Sequence, residues 1–299
     1  MLAVNAVKEV NYTLETMSIQ GLVCGKEENE NNIVLCLHGW LDNAASFLPL
    51  MPYLQEKLPD KHIVAIDWAG HGNSSHKSAD AHYHFIDWTY DLLQLFETNS
   101  WQQIDIVAHS MGGMIASAFA AAFPEKVKSL TLIDSIGFIS SEADETTKQL
   151  RKGMLSRLRS SQLNTRKADA KKKKYHESIG SAVQARANVS DLKYEDAKLI
   201  VERGIIKEAE GYRWRSDVRL RNTSPYRLTL QQAQQLIRDI KCPVKLIYGS
   251  NGLDMVNSGM KNFGTLFENF SSVELIGGHH FHMEKPEETA ELIKCFIVN

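Results

Sequence analysis

Ser110 stands where a serine can be made reactive. Ala108 lies two residues before it and Gly112 two after, within the run Ile104–Gly113. Small residues at both positions let a chain turn sharply from strand to helix, which is the spacing of a nucleophile elbow with alanine in place of the first glycine. Such a turn lifts the hydroxyl off the sheet, and the helix that follows aims its positive end at the site. A serine hydroxyl attacks only when a base in hydrogen-bond reach takes its proton and a third group orients that base. The chain order Ser…Asp…His puts the base late, and residues 277–288, GGHHFHMEKPEE, offer three histidines there. His279 is the candidate because it follows Gly278 directly at a strand exit; His280 is the fallback. His282 is expected to hold the loop through a backbone hydrogen bond. Three histidines could also ligate a metal, but no carboxylate or cysteine set accompanies them at ligand spacing. A metal is not expected there.

Acyl chemistry further requires donors aimed at a developing oxyanion. The N–H of Met111, directly after the serine, is one. The N–H of Trp40 is the other, in the loop after the apolar run 33–39, where Gly39 permits close approach. His38, Gly39 and Trp40 are therefore expected at the substrate, with the Trp40 ring as a wall. Asp67 and the glycines of Asp67–Ser74 mark a turn that the carboxylate pins. His71 and His76 have no assigned role in the chemistry.

These residues need strands that end together. Residues 10–23 alternate loosely and read as two short antiparallel strands. The runs at 33–39 and 62–67 are largely apolar, as strands covered on both faces are, 104–109 and 127–135 read as further buried strands, and helical spacing appears at 85–97 and after Ser110. This alternation predicts a doubly wound, mostly parallel α/β sheet of eight strands. It stops after the sixth strand and resumes with a strand at 244–249, a helix near 257–269, a strand at 272–277 and a last helix. Residues 1–135 and 241–299 thus form the core, and 136–240 a helical lid inserted after strand six. The lysines at 171–174 read as a solvated helix end or loop.

The chain has 299 residues, 43% of them hydrophobic and 23% charged, with a net charge of −2. That balance argues against a dedicated nucleic-acid binder. No run approaches the eighteen apolar residues of a membrane span, and the N-terminal residues lack the pattern of a secretory signal. A cytoplasmic protein is expected. Its four cysteines are scattered, and Cys36 reads as a core residue. Oligomeric state is not legible.

Together, His38-Gly39, Asp67-x-x-Gly-His-Gly-x-Ser74, Ala-His-Ser110-Met-Gly-Gly and Gly278-His279…Glu-Lys-Pro286 resemble the α/β-hydrolase superfamily over essentially the whole chain. Within it, HGWLDNAASF and the segment 214–229, with Trp214, Asp217, Arg219 and Leu220, resemble the serine hydrolase-like (kraken-like) group. The resemblance implies a cofactor-free hydrolase with a small-molecule ester substrate. Dehalogenases and epoxide hydrolases of the superfamily carry aspartate at the elbow, so Ser110 disfavours their reactions. Trp214 is a further candidate for substrate contact, and Asp217 and Arg219 are expected to pair with each other or with neighbours.

The triad acid departs from the superfamily pattern. Its usual place, three residues beyond the glycine that closes the seventh strand, holds Gly252, and the nearest acid is Asp254. Asp134 instead ends the sixth strand beside the elbow strand. Adjacent strands lie about 4.8 Å apart, so a carboxylate there can reach a histidine above Ser110. Asp134 is the expected acid and Asp254 the alternative. The expected reaction is hydrolysis of carboxylic esters or thioesters of small to medium acyl groups. Carbon–carbon bond hydrolysis on the same triad and a non-catalytic binding protein are the competing readings.

Overall fold

The computed structural model describes residues 7–26, 29, 31–165 and 175–298, and of residues 162–165 the backbone alone. The lysines at 171–174 lie outside the described residues. Eight strands make one sheet: β1 (Lys8–Thr13), β2 (Ser18–Gly25), β3 (Ile33–Leu37), β4 (His62–Ile66), β5 (Ile104–His109), β6 (Val127–Ile133), β9 (Val244–Gly249) and β10 (Phe270–Leu275). Their order is β1-β2-β4-β3-β5-β6-β9-β10. β2 runs antiparallel to both of its neighbours, and the six strands from β4 to β10 are mutually parallel. β3 and β5 are buried at every position, because helices cover both faces.

On one face lie α2 (Phe85–Thr98) and α3 (Met111–Ala122), whose Trp88, Leu92, Phe96, Ile115 and Phe119 join the larger core. On the other, α1 (Met51–Lys57) and α10 (Pro286–Ile297) bury Met51, Leu54 and Ile293. α3 is rich in alanine, which lets it pack closely across the sheet centre and fixes the direction of the turn that precedes it.

Between β6 and β9 the chain leaves the sheet. This insertion holds α4 (Thr146–Thr165), α5 (Ile179–Ala187), α6 (Tyr194–Gly204), the antiparallel hairpin β7 (Ile205–Glu208) and β8 (Gly211–Trp214), and α7 (Leu230–Asp239). The hairpin breaks the purely helical reading of this block. α7 is helical but packs on the sheet: Ala233 and Ile237 are fully buried in the main core. α5 and α6 have a small core of their own, Ala182, Val183, Ala197, Ile200 and Val201, which receives Met283 from the loop after β10. Buried polar contacts attach the insertion to the sheet. Asn43 Nδ2 donates to the Ile200 carbonyl at 2.8 Å, and Arg203 Nε lies 3.0 Å from both oxygens of Asp67. Asp67 also accepts from the N–H groups of Ala44 (2.7 Å) and Asn73 (2.8 Å), so it pins its turn as its place in the sequence suggests.

Candidate active site

The parallel strands end at one edge of the sheet, where the strand-order crossover of an α/β fold opens a crevice. Ser110 sits at that edge between β5 and α3 with φ 53° and ψ −121°. A non-glycine residue there is strained, and the surroundings must over-determine it. They do so from three sides. The Ser110 N–H donates to the Ile133 carbonyl at 3.1 Å, and the Gly113 N–H returns to the Ser110 carbonyl at 2.9 Å. Gly112 lies against the backbone carbonyls of Leu37 and His38, where a Cβ would collide. A Cβ on Gly39 would stand 3.1 Å from the Ser110 Cβ, which measures how near the loop after β3 comes to the serine. Met111 opens α3, so its N–H is among the four that a helix leaves without an intrahelical acceptor.

His279 follows β10 and lines a chamber of about 560 Å³ together with Ser110, Gly39, Trp40, Arg186 and Asn251. Its Nδ1 lies 2.6 Å from Asp134 Oδ2. Asp134 is buried, holds φ 45°, and also accepts from the N–H groups of Gly249 (3.0 Å) and Leu253 (3.1 Å). Three donors thus fix one carboxylate against the imidazole, leaving Nε2 as the ring's outward nitrogen. Asp254 is instead exposed, at the start of α8 (Asp254–Phe263).

Ser110 also lines a second, apolar lobe of about 330 Å³, walled by Tyr83, Trp88, Met111, Met114, Phe138 and Leu220. Trp40 borders both lobes, half exposed, with its indole N–H on the Leu220 carbonyl at 3.2 Å.

Two expected substrate contacts lie elsewhere. His38 is completely buried: Nδ1 meets the Gly39 carbonyl at 2.7 Å, and Nε2 accepts the Trp68 N–H at 3.0 Å. Burial lowers its pKa, with Asp67 opposing, and it serves as a neutral link between β3 and the turn after β4. The side-chain alternation of an extended chain turns it away from the crevice that Gly39 faces. Trp214 packs in the β7–β8 hairpin against His176, ring centroids 5.5 Å apart, and lines neither lobe. Asp217 and Arg219 do pair, Nη2 to Oδ2 at 2.7 Å; Arg219 also donates to the carbonyls of Lys77, Ser78 and Ala81.

The neighbours of His279 carry charges that no local pattern announced. His280 is buried between two carboxylates, Nδ1 to Asp191 Oδ1 at 2.5 Å and Nε2 to Asp42 Oδ2 at 3.3 Å. Burial opposes its charge, but Asp42 and Asp191 outweigh it and push the pKa up to about 9. With both nitrogens engaged, His280 has none to offer Ser110. Asp42 also binds Arg186 Nη2 at 2.5 Å; His280 and Arg186 together overcome its burial and hold its carboxyl well below the usual range. His282 makes no backbone hydrogen bond. Its ring is buried beside His109 (4.4 Å between centroids) and Phe47 (5.4 Å), and burial with the nearby His280 charge pulls its pKa down to about 3. Asp42 lies 238 residues from His280 and Asp191 lies 89, separations that only the folded chain reveals.

Among the described residues Asp42, His109 and His280 are near enough to share a cation. The histidine–carboxylate pairs already satisfy Asp42 and His280, and Arg186 supplies further positive charge, so these donors fit an ion-pair network better than a metal.

A strained serine elbow and a histidine after the last strand accord with one family, and residues 32–286 match its model, the alpha/beta hydrolase fold. The chain belongs to that family. Among α/β hydrolases it is similar to serine hydrolase-like protein 2 of Homo sapiens, at 31% identity over 88% of this chain and 86% of that one. A serine hydrolase-like protein of Dictyostelium discoideum is 31% identical over 97% of this chain and 81% of its own. In three dimensions this hydrolase fold superposes on a hypothetical protein of Pseudomonas aeruginosa PAO1 with a TM-score of 0.86, at 31% identity over 97% of this chain and 99% of that one. The thioesterase domain of the curacin biosynthetic pathway shares the fold, with a TM-score of 0.79 at 22% identity over 98% of this chain and 99% of that one. Among the described residues no helix is long and apolar enough to cross a membrane.

Proposed function

We propose that the protein hydrolyses carboxylic esters or thioesters of small to medium acyl groups through an acyl-enzyme on Ser110. The observation that carries this reading is the 2.6 Å contact from His279 Nδ1 to Asp134, with His279 and Ser110 lining the same chamber. The Ser110 hydroxyl attacks the acyl carbon as His279 Nε2 takes its proton. Asp134 keeps the Nδ1–H tautomer and stabilises the imidazolium that forms. The N–H groups of Met111 and Trp40 hold the oxyanion. His279 then gives its proton to the leaving oxygen or sulfur; water admitted through the chamber lined by Arg186 and Asn251 gives its proton to His279 as it attacks the acyl-enzyme, and the Ser110 oxygen leaves with that proton. The apolar lobe receives the acyl chain, with α4–α6 and the β7–β8 hairpin as a lid over the crevice. The backbone at Ser110 (φ 53°, ψ −121°) holds strain at the one serine that borders both lobes among the described lining residues of the crevice, which weighs against a purely binding role.

Short p-nitrophenyl esters and acyl thioesters, beside a fluorophosphonate probe, test the reading. Ser110→Ala is expected to abolish labelling and lower kcat by about 10⁴-fold or more. Labelling that persists in that variant removes Ser110 from the mechanism. Turnover of a vinylogous diketone in preference to every ester would assign carbon–carbon bond hydrolysis to the same triad.

A further inference from the structure

Asp191 belongs to the insertion, in the connection between α5 and α6, yet its carboxylate reaches the loop that carries His279. Oδ2 accepts the His280 backbone N–H at 2.9 Å, while Oδ1 takes the His280 ring at 2.5 Å. The same carboxylate lies against Gly278, where any Cβ would strike it. One side chain from outside the sheet thus binds the residue after His279 and abuts the residue before it. From below, Asp42 holds the other ring nitrogen of His280 at 3.3 Å and is itself fixed by Arg186 of α5. His109 Nε2 meets the His279 carbonyl at 3.0 Å. A second contact, Lys193 to Glu284 at 3.5 Å, ties the same connection to the short helix just beyond.

We propose that Asp191 is a positioning residue for His279, so that the insertion completes the catalytic apparatus by clamping the 278–280 loop through His280. The proposal rests on His279 being the base of the proposed hydrolase. The physics is that of a charge-assisted clamp. A carboxylate that accepts both a backbone N–H and a ring N–H fixes position and rotation together, where either bond alone leaves one of them loose. A general base must be held within a few tenths of an ångström of its proton path, and small displacements are costly in rate. The groups facing His280 are Asp42 and His109 from the sheet, His279 and His282 on its own loop, Asp191 and Asp196 from the insertion, and Glu284 from the helix that follows. Among the described residues Asp191 and Asp42 are the carboxylates bonded to its ring, and burial penalises its charge, so removing the Asp191 charge releases the ring proton toward neutral pH.

The test compares the whole protein with Asp191→Asn, Asp191→Ala and, as a control that cuts a different attachment of the same connection, Lys193→Ala. Activity is normalised to sites titrated by a fluorophosphonate burst, so misfolded protein does not count. Asp191→Asn is expected to lower kcat per titrated site about 10- to 100-fold with KM changed less than about threefold, as for an interaction felt in the transition state. Asp191→Ala should lose at least as much and Lys193→Ala should stay near wild type. Imidazole NMR supplies a readout independent of turnover. His280 should remain protonated at pH 8 in the wild type and be neutral there in Asp191→Asn. An unchanged kcat per titrated site in both Asp191 variants overturns the positioning role, whatever the NMR reports. So does an equal loss in Lys193→Ala, which would make the effect one of general anchoring. If Ser110→Ala retains full activity, the hydrolase reading has failed instead, and the NMR comparison alone then decides whether the clamp exists.

Discussion

Replacing Asp134 by asparagine changes one atom and separates orientation from charge. Oδ2 now serves both His279 Nδ1 (2.6 Å) and the Leu253 N–H (3.1 Å), while Oδ1 serves the Gly249 N–H (3.0 Å). Asparagine has a single oxygen, so two placements compete. With the oxygen in the Oδ2 position, two of the three bonds survive and the amide N–H groups confront Gly249. The imidazole keeps its orientation but loses the negative charge beside it. At about 4 Å and an effective dielectric near 20 that charge is worth about 4 kcal/mol to an imidazolium, or about 10³-fold in rate. With the oxygen in the Oδ1 position, the amide presents hydrogens to His279 and forces the wrong tautomer, a loss of about 10⁴-fold in related triads. The expected fall in kcat for p-nitrophenyl butyrate is therefore between about 10³- and 10⁴-fold, with KM little changed. Either placement leaves one buried donor unpaired, costing about 1–3 kcal/mol of stability, which chemical denaturation measures separately. Asp254→Asn, at an exposed helix start, should stay within about threefold of wild type. A kcat for Asp134→Asn within tenfold of wild type refutes the argument, and so does a comparable loss in Asp254→Asn.

Three further outcomes follow from the same structure. Gly252 abuts the Asp134 carboxylate, where a Cβ would overlap it; Gly252→Ala should lower kcat about 10-fold or more without touching a group that meets substrate, and an unaltered kcat would show that Asp134 has room to spare. Arg203→Ala leaves the Asp67 carboxylate buried without its cation and should cost about 3–5 kcal/mol in urea unfolding; a loss below 1 kcal/mol would mean that Asp67 is satisfied by its backbone donors alone. His282 and His280 should bend the pH dependence of stability in opposite directions. The folded pKa of His282 lies below its unfolded value, so its neutral burial costs stability as pH falls from about 6.5 towards about 3. The folded pKa of His280 is raised, so its contribution is full below about 6.5 and is lost as pH rises through about 9. His282→Leu should flatten the acid slope and leave the alkaline slope intact, as read from melting temperatures across the range.

What the sequence discloses here is whatever local periodicity and spacing encode. The four central strands are rich in apolar residues because helices cover the sheet, and their ends fall within a few residues of the reading. The elbow is legible because a turn that tight tolerates only small residues at 108 and 112. Asp134 could be proposed because a strand's last residue lies one strand spacing from the neighbouring strand, a distance set by backbone hydrogen bonding. The misplaced residues are those whose direction depends on where a strand stops twisting. His38 precedes Gly39 by one position, and one position in extended chain is the opposite face. Trp214 sits in a hairpin whose four-residue strands are too short to show alternation, so its ring could not be aimed from sequence. The Asp42–His280–Asp191 cluster draws on three distant segments, and no spacing rule joins them. The one available hint was His280 itself, a second histidine beside the base that the triad did not need.

The insertion is fastened at the end of α6 by Arg203, one turn earlier by the Asn43 contact and at the catalytic loop by Asp191. Two of these contacts are buried ion pairs or hydrogen bonds, and α5 and α6 share a core with Met283 from the loop they cover. A roof bolted at three points is a fixed vestibule. Lipases that swing a flap aside at an oil–water boundary gain turnover abruptly when substrate forms droplets or micelles. Among the described residues, the segments held by these contacts offer such a boundary nothing to open. Its rate should follow the concentration of dissolved, monomeric substrate and level off smoothly through the solubility limit, so that the passage between Trp40 and the insertion selects molecules by shape as they diffuse in one at a time.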